Sequence, residues 1–171
     1  MEILVCIKQV PDDSVEISLD EATGKPALDG VTPVVNAFDT YALEMAKRYI
    51  EDNGGNVTVA TIGDDDATAA LRTCLAVGAG KAFLIKDASF AGSDTTAKAY
   101  ILSKAVAKIE EINGAKFDIV FCGKEATDFS KGMVGVQLAS DSALVLQQML
   151  LLLILLKAAL LLNRKQKLAT M

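Results

Sequence analysis

Histidine and tryptophan are both absent from the 171 residues. Without an imidazole there is no Ser-His-Asp triad, no histidine-ligated metal and no histidine general base. Cysteine is sparse. Cys6, Cys74 and Cys122 stand far apart with no CxxC pair, so reduced core thiols and a cytoplasmic compartment are expected. Neither GxGxxG nor GxxxxGK[ST] occurs, which removes the usual glycine-rich phosphate loops. No signal-peptide pattern opens the chain: Glu2 is acidic and the apolar run Ile3–Ile7 has only strand length. Residues 143–171 lack acids, glycine and proline altogether.

What is present is unevenly charged. The formal net charge is −5, but Lys157, Arg164, Lys165 and Lys167 give the last 29 residues +4, which leaves −9 on residues 1–142. So acidic a domain is a poor non-specific nucleic-acid binder, and no nucleic-acid partner is expected. The length suits one well-buried domain with an appendage, placed at 1–142 and 143–171.

Residues 2–7 read as a fully buried strand, ended by Lys8-Gln9-Val10-Pro11-Asp12-Asp13, where proline removes a donor. Val15–Leu19 alternates and Ala27–Val31 is a weaker strand, which together predict a hairpin over the domain. A helix is expected from Thr40 to Asp52, capped by Asn36 or Asp39, with Ala42, Met45, Ala46 and Tyr49 on one face. Val57–Ile62 is the next strand. Asp64, Asp65 and Asp66 then suit the first turn of a helix through Leu71, Cys74 and Leu75 better than they suit a metal. A strand at Lys81–Ile85 precedes a helix over Thr95–Asn113 whose inward residues include Ile101, Leu102, Ala105, Val106, Ile109 and Ile112.

The run Phe117–Phe121, then Cys122-Gly123-Lys124-Glu125-Ala126-Thr127-Asp128, then a helix beginning near Ser130, Lys131 and Gly132, organises the rest. A strand that turns at glycine into a helix presents unpaired N–H groups and the positive end of the macrodipole, with Lys124 and Lys131 adding charge. The alternative is an ordinary strand-to-helix turn. Strands and helices alternate throughout, so the fold class expected is α/β, a doubly wound and mainly parallel sheet of order 3-2-1-4 with the peripheral N-terminal hairpin. In that order the topological switch lies between the first and fourth strands, which brings Cys6, Ile7 and Lys8 beside Gly123, Lys124 and Glu125.

Four segments in order carry a family resemblance: Ile3–Asp12, Asp29-Gly30-Val31 with Asn36–Glu44, Leu75–Ala79, and Cys122–Asp128. Over about residues 2–140 the chain resembles the β-subunit of electron-transfer flavoproteins, whose domain belongs to the adenine-nucleotide α-hydrolase-like superfamily. The resemblance implies an αβ heterodimer whose β-subunit holds AMP or, in electron-bifurcating members, a second FAD. FAD is the expected cofactor here and AMP the alternative. The implied partners are an α-subunit, a flavin-containing dehydrogenase and NADH, with a metal and a membrane not expected. The implied nucleotide contacts are Cys6, the turn Asn36, Ala37, Phe38 and Asp39, Ile62, and Gly123 through Val134. These join Lys8, Lys124, Glu125, Ala126, Thr127, Asp128, Ser130, Lys131, Gly132 and Met133 in one expected site. Cys6 and Ile62 would pack on adenine, main-chain groups at Asn36 and Phe38 would read its edge, Gly123 would allow close approach, and Thr127 and Ser130 would hold phosphate.

Three departures stand out. Proline is usual in the family where Ala37 stands. An acid and a threonine are usual where Ser130 and Lys131 stand, and the exchange makes that turn more cationic, favouring a pyrophosphate. The tail of 143–171 departs most, with twelve leucines among its 29 residues. Readings as a membrane helix, weakened by Gln147, Gln148 and Lys157, or as a partner helix compete with a truncated, frameshifted or mis-assigned segment, and the last is preferred. The function expected is an electron-carrier subunit, with oxidoreductase activity only inside a complex and bifurcation as its extension. The alternative is a stand-alone universal-stress-type nucleotide-binding protein. A small nucleotide hydrolase or ligase is disfavoured for want of a phosphate loop or metal cluster.

Overall fold

The computed structural model describes residues 1–142. Four short, apolar segments form its sheet: β1 (Glu2–Cys6), β4 (Asn56–Ile62), β5 (Lys81–Ile85) and β6 (Ile119–Cys122). All pair in parallel in the order β5-β4-β1-β6, which is the order 3-2-1-4 expected for the four core strands. Strands covered on both faces have no need of polar alternation, and Ile3, Leu4 and Val5 are each fully buried.

Helices lie on both faces. α1 (Ala37–Asn53) and α2 (Thr68–Ala76) cover one side around Ile3, Val5, Leu43, Ala46, Val57, Val59 and Leu71. On the other, α3 (Thr95–Asn113) and α4 (Val134–Asp141) cover Leu4, Cys6, Ala60, Leu102, Val106 and Leu138. Asp94 caps α3 by accepting from Ala97 N–H at 2.8 Å, and Gly114 ends it in the left-handed conformation.

Several local expectations are corrected. Val15–Leu19 and Ala27–Val31 are not strands: one bridge joins Leu19 and Pro26, and Val15, Ile17 and Leu19 are exposed. Alternation alone gave those side chains no apolar face to cover. Antiparallel pairing occurs instead at the base of this excursion, between β2 (Gln9–Pro11) and β3 (Pro33–Val35), so Pro11 ends a small ladder rather than preventing one. α1 starts at Ala37 rather than Thr40. The last sheet strand is Ile119–Cys122, because Phe117 and Asp118 lead into it; Asp118 exchanges main-chain and side-chain bonds with Glu2, each at 2.8 Å.

The helix expected near Ser130 begins four residues later, at Val134. Leu75 and Ile112 point outward, each one step past the buried stripe of its helix. Asp64 precedes a short turn at Asp65–Ala67 without capping it, and Asp65 pairs with Lys86 at 2.6 Å. Among the described residues no group of three or more potential ligands could hold a metal, and no helix is long and apolar enough to cross a membrane. The tail assigned to 143–171 lies outside the described residues.

Candidate functional site

The parallel order sends the chain in opposite directions from β1 and β6, and a crevice opens where their loops part. What shapes it is a set of ties between the segment after β6 and the first turn of α1. Asn36 occupies the N-cap position of α1, yet its side chain makes no cap bond. Instead its Nδ2 donates to the Glu125 carbonyl at 2.8 Å while its Oδ1 accepts from Thr127 N–H at 3.1 Å. The amide therefore acts as one rung of a ladder, holding a loop 89 to 91 residues away in sequence.

Asp39 is the second tie. Its buried carboxylate accepts from Lys8 N–H at 2.8 Å and Gly123 N–H at 3.0 Å, splicing the ends of β1 and β6. Burial raises its pKa to about 6, against the opposing effect of Asn36, these two N–H groups and the Lys8 charge. Lys8 is the third tie: its Nζ bonds both carboxylate oxygens of Asp128 at 2.7 and 2.6 Å and lies 5.0 Å from the centre of the Phe129 ring.

Beyond these ties the loop makes one turn, with Ser130 N–H donating to the Ala126 carbonyl at 2.7 Å. Ser130 ends that turn at φ +46, a left-handed conformation uncommon outside glycine. The N–H groups of Val134, Gly135 and Val136 then head α4 with no partner inside the helix, because the first such bond runs from Gln137 to Met133.

The cleft so formed has a volume of about 650 Å³, within the range of small-molecule sites. Of the residues expected at the site, Cys6, Lys8, Asn36, Asp39, Ile62, Gly123, Lys124, Glu125, Ala126, Lys131, Gly132, Met133 and Val134 line it. Ala37, Phe38, Thr127, Asp128 and Ser130 do not. Two assigned roles change with the geometry. The main chain of Asn36 is already used, its N–H by the Lys8 carbonyl at 2.9 Å and its carbonyl by Asp39 and Thr40, so it does not read a base edge. Gly123 is required by the protein itself: a Cβ there would overlap Asp39 Oδ1 and lie 2.9 Å from the Phe38 carbonyl carbon.

A whole wall escaped the sequence reading. Asp87, Phe90, Gly92, Ser93, Thr95, Lys98 and Leu102, from the β5–α3 connection and the start of α3, face the loop across the cleft. The signal is a second strand-loop-helix passage, with Gly92-Ser93 before the Asp94 cap, whereas the crevice rule draws attention to the ends of β1 and β6. A bond from Gln137 Nε2 to Thr96 Oγ1 at 3.1 Å joins the two helix starts.

A doubly wound parallel sheet with a latched loop and a cleft at its switch point defines an α/β domain of the doubly wound class. The comparisons make that class specific. Residues 27–143 match the family model described as Electron transfer flavoprotein domain. The electron transfer flavoprotein subunit beta of Thermoanaerobacterium thermosaccharolyticum is 46% identical over 139 residues, covering 81% of this chain and 51% of that protein. Protein FixA of Azorhizobium caulinodans is 44% identical over 145 residues, covering 85% and 51%. The caffeyl-CoA reductase-Etf complex subunit CarD of Acetobacterium woodii is 39% identical over 140 residues, covering 81% and 51%. The chain belongs to the electron-transfer flavoprotein family. It spans about half the length of the curated relatives it matches.

Proposed function

We propose that this chain serves as the β-subunit of an electron-transfer flavoprotein and that its cleft holds the adenine-nucleotide part of FAD, with AMP as the alternative. The carrying observation is the cleft at the sheet's switch point, bounded by the segment 123–135. It offers N–H groups at the start of α4 that have no partner among the described residues, and lysines at positions 98, 124 and 131. That combination fits a phosphate group, since N–H donors and cations are what an anion needs. Ile62 and Cys6 offer an apolar and a polarisable surface suited to a base, while Asp64 and Asp87 suit hydroxyl donors.

A flavin, when bound, supplies the redox chemistry, and the protein supplies position and field. The residues of this chain bind and orient; none is asked to act as nucleophile or base. We extend the reading to an α-subunit and a flavin-containing dehydrogenase as partners, NADH as electron source, a cytoplasmic setting and flavin-based electron bifurcation. The cationic pair of rim positions Lys124 and Lys131 supports a pyrophosphate over a single phosphate.

The test is purification of the assembled complex, release of its cofactors with acid and their separation by chromatography. Two FAD per heterodimer is expected. One FAD with one AMP overturns the FAD assignment and with it bifurcation. A chain that purifies alone, colourless and carrying ATP, overturns the β-subunit reading itself.

A further inference from the structure

Three cysteines remain without an assigned chemistry of their own, and two of them meet. Cys6 ends β1 and Cys122 ends β6, and they are the last registered pair of that parallel ladder. Both side chains lie on the face covered by α3 and α4, and both line the cleft. Neighbouring strands stand about 4.8 Å apart. That falls inside the Cα separation of about 4.4–6.8 Å that a disulfide bridges. Position at the end of the ladder matters, because there both side chains reach the cleft.

The two thiols are not equivalent. Cys6 is buried, while Cys122 is half-buried and opens on the cleft. Gly135 keeps space over Cys122, since a Cβ on it would approach the Cys122 Cβ to 3.2 Å. Cys74 belongs to α2 on the opposite face of the sheet, packed with Leu71, and is excluded from the pair.

We propose that Cys6 and Cys122 form a dithiol that closes to a disulfide in the floor of the cleft, taking a small-molecule disulfide such as oxidised glutathione as its oxidant. Cys122, the accessible sulfur, loses its proton to water and attacks one glutathione sulfur. A Cys122–glutathione bond forms, the glutathione S–S bond breaks, and one glutathione leaves as thiolate. Cys6 then gives up its proton and attacks the Cys122 sulfur, releasing the second glutathione. Two protein thiols have lost two electrons and two protons, and one glutathione disulfide has become two thiols. The Cys6 pKa lies well above the ordinary thiol value, first through its hydrogen bond with the Cys122 sulfur and then through burial, so Cys6 suits the resolving position rather than the attacking one. The proposed function seats a base against Cys6, so this reaction belongs to the cleft freed of nucleotide, and the treated chain is first stripped of any bound nucleotide.

The full chain, treated with oxidised glutathione, quenched in acid and alkylated, should carry one alkylated cysteine, Cys74, and a peptide pair linked through Cys6 and Cys122. Cys74→Ser should keep that link, and Cys122→Ser should lose it. Three alkylated cysteines would overturn the proposal, as would glutathione retained on Cys122 as the end product. Links spread over all three cysteine pairs, the pattern expected of urea-unfolded chain, would overturn it equally if they came from the folded protein.

Discussion

At the scale of single residues, Asp39 and Gly123 make opposite demands on one small volume. A carboxylate in a protein interior is costly, and the two N–H donors at 2.8 and 3.0 Å offset only part of that cost, so the pKa stands at about 6 rather than 3.8. The sign follows from linkage. The folded state holds this proton more tightly than the unfolded state, so the contribution is fully present below about pH 4. It is lost as pH rises through 6, and it is flat above. Two pKa units correspond to about 3 kcal/mol. Asp12, Asp20 and Asp87 are shifted downward and slope the other way in any variant, so the difference is what reports on Asp39. Urea midpoints of wild type and Asp39→Asn should therefore converge or cross between pH 4 and 6, with wild type losing ground as pH rises. Parallel curves would assign the proton elsewhere. Gly123→Ala should cost about 3 kcal/mol in the unliganded chain, since the added methyl meets fixed backbone and breaks the bond to Asp39. Were the glycine there only to let a ligand approach, the unliganded protein would keep its full stability and only nucleotide affinity would fall.

At the scale of elements, the segment 123–133 is irregular yet held at Gly123, Glu125, Thr127 and Asp128 by Lys8, just past β1, and by Asn36 and Asp39 at the start of α1. Asn36→Ala leaves the Glu125 carbonyl and the Thr127 N–H without partners in a half-buried place. A loss of about 1–3 kcal/mol is expected. Its second readout is hydrogen exchange, where the amides of Gly123 and Thr127 should lose protection while those of β4 stay as they were; uniform loss across the sheet would mean general destabilisation instead of a released loop. What was legible in the sequence follows the same division. Buried parallel strands such as Ile3–Cys6 and Val57–Ile62 declare themselves by unbroken apolar runs, and α3 by its period, because local composition decides them. Val15–Leu19 misled because alternation records a preference for a half-buried surface, and nothing else in the chain supplied that surface. The latch was invisible for a different reason. Asn36 and Asp39 look like helix caps in any sequence, and only the sheet order brings Glu125, Thr127 and Gly123 to them. The wall at 87–102 was missed likewise, since its place opposite the β6 loop depends on α3 lying against α4.

At the scale of the whole molecule, the site is built from both ends of the described chain. Cys6 and Lys8 come from the start, the segment 122–135 from the end, and the 87–98 region from between. A ligand seated there touches β1, β4, β6, α3 and α4 together, so binding must be felt as global stability. A nucleotide at a free concentration 100 times its Kd should add about 2.7 kcal/mol to unfolding, readable as a rise in Tm that grows with concentration. Lys131 tests the electrostatic part of the reading. It is exposed and bears no packing, so Lys131→Ala should leave the unliganded Tm unchanged. If its ammonium meets a phosphate, affinity should fall by roughly tenfold, equivalent to about 1.4 kcal/mol, and the loss should shrink at high salt as exposed charge is screened. ADP and AMP differ by one phosphate, so the same titration done with each separates a pyrophosphate contact from a single one. A loss for ADP and none for AMP places Lys131 on the second phosphate; equal losses place it on the first. Full retention of affinity for both nucleotides would remove Lys131 from the site and leave the N–H groups of α4 to hold the anion.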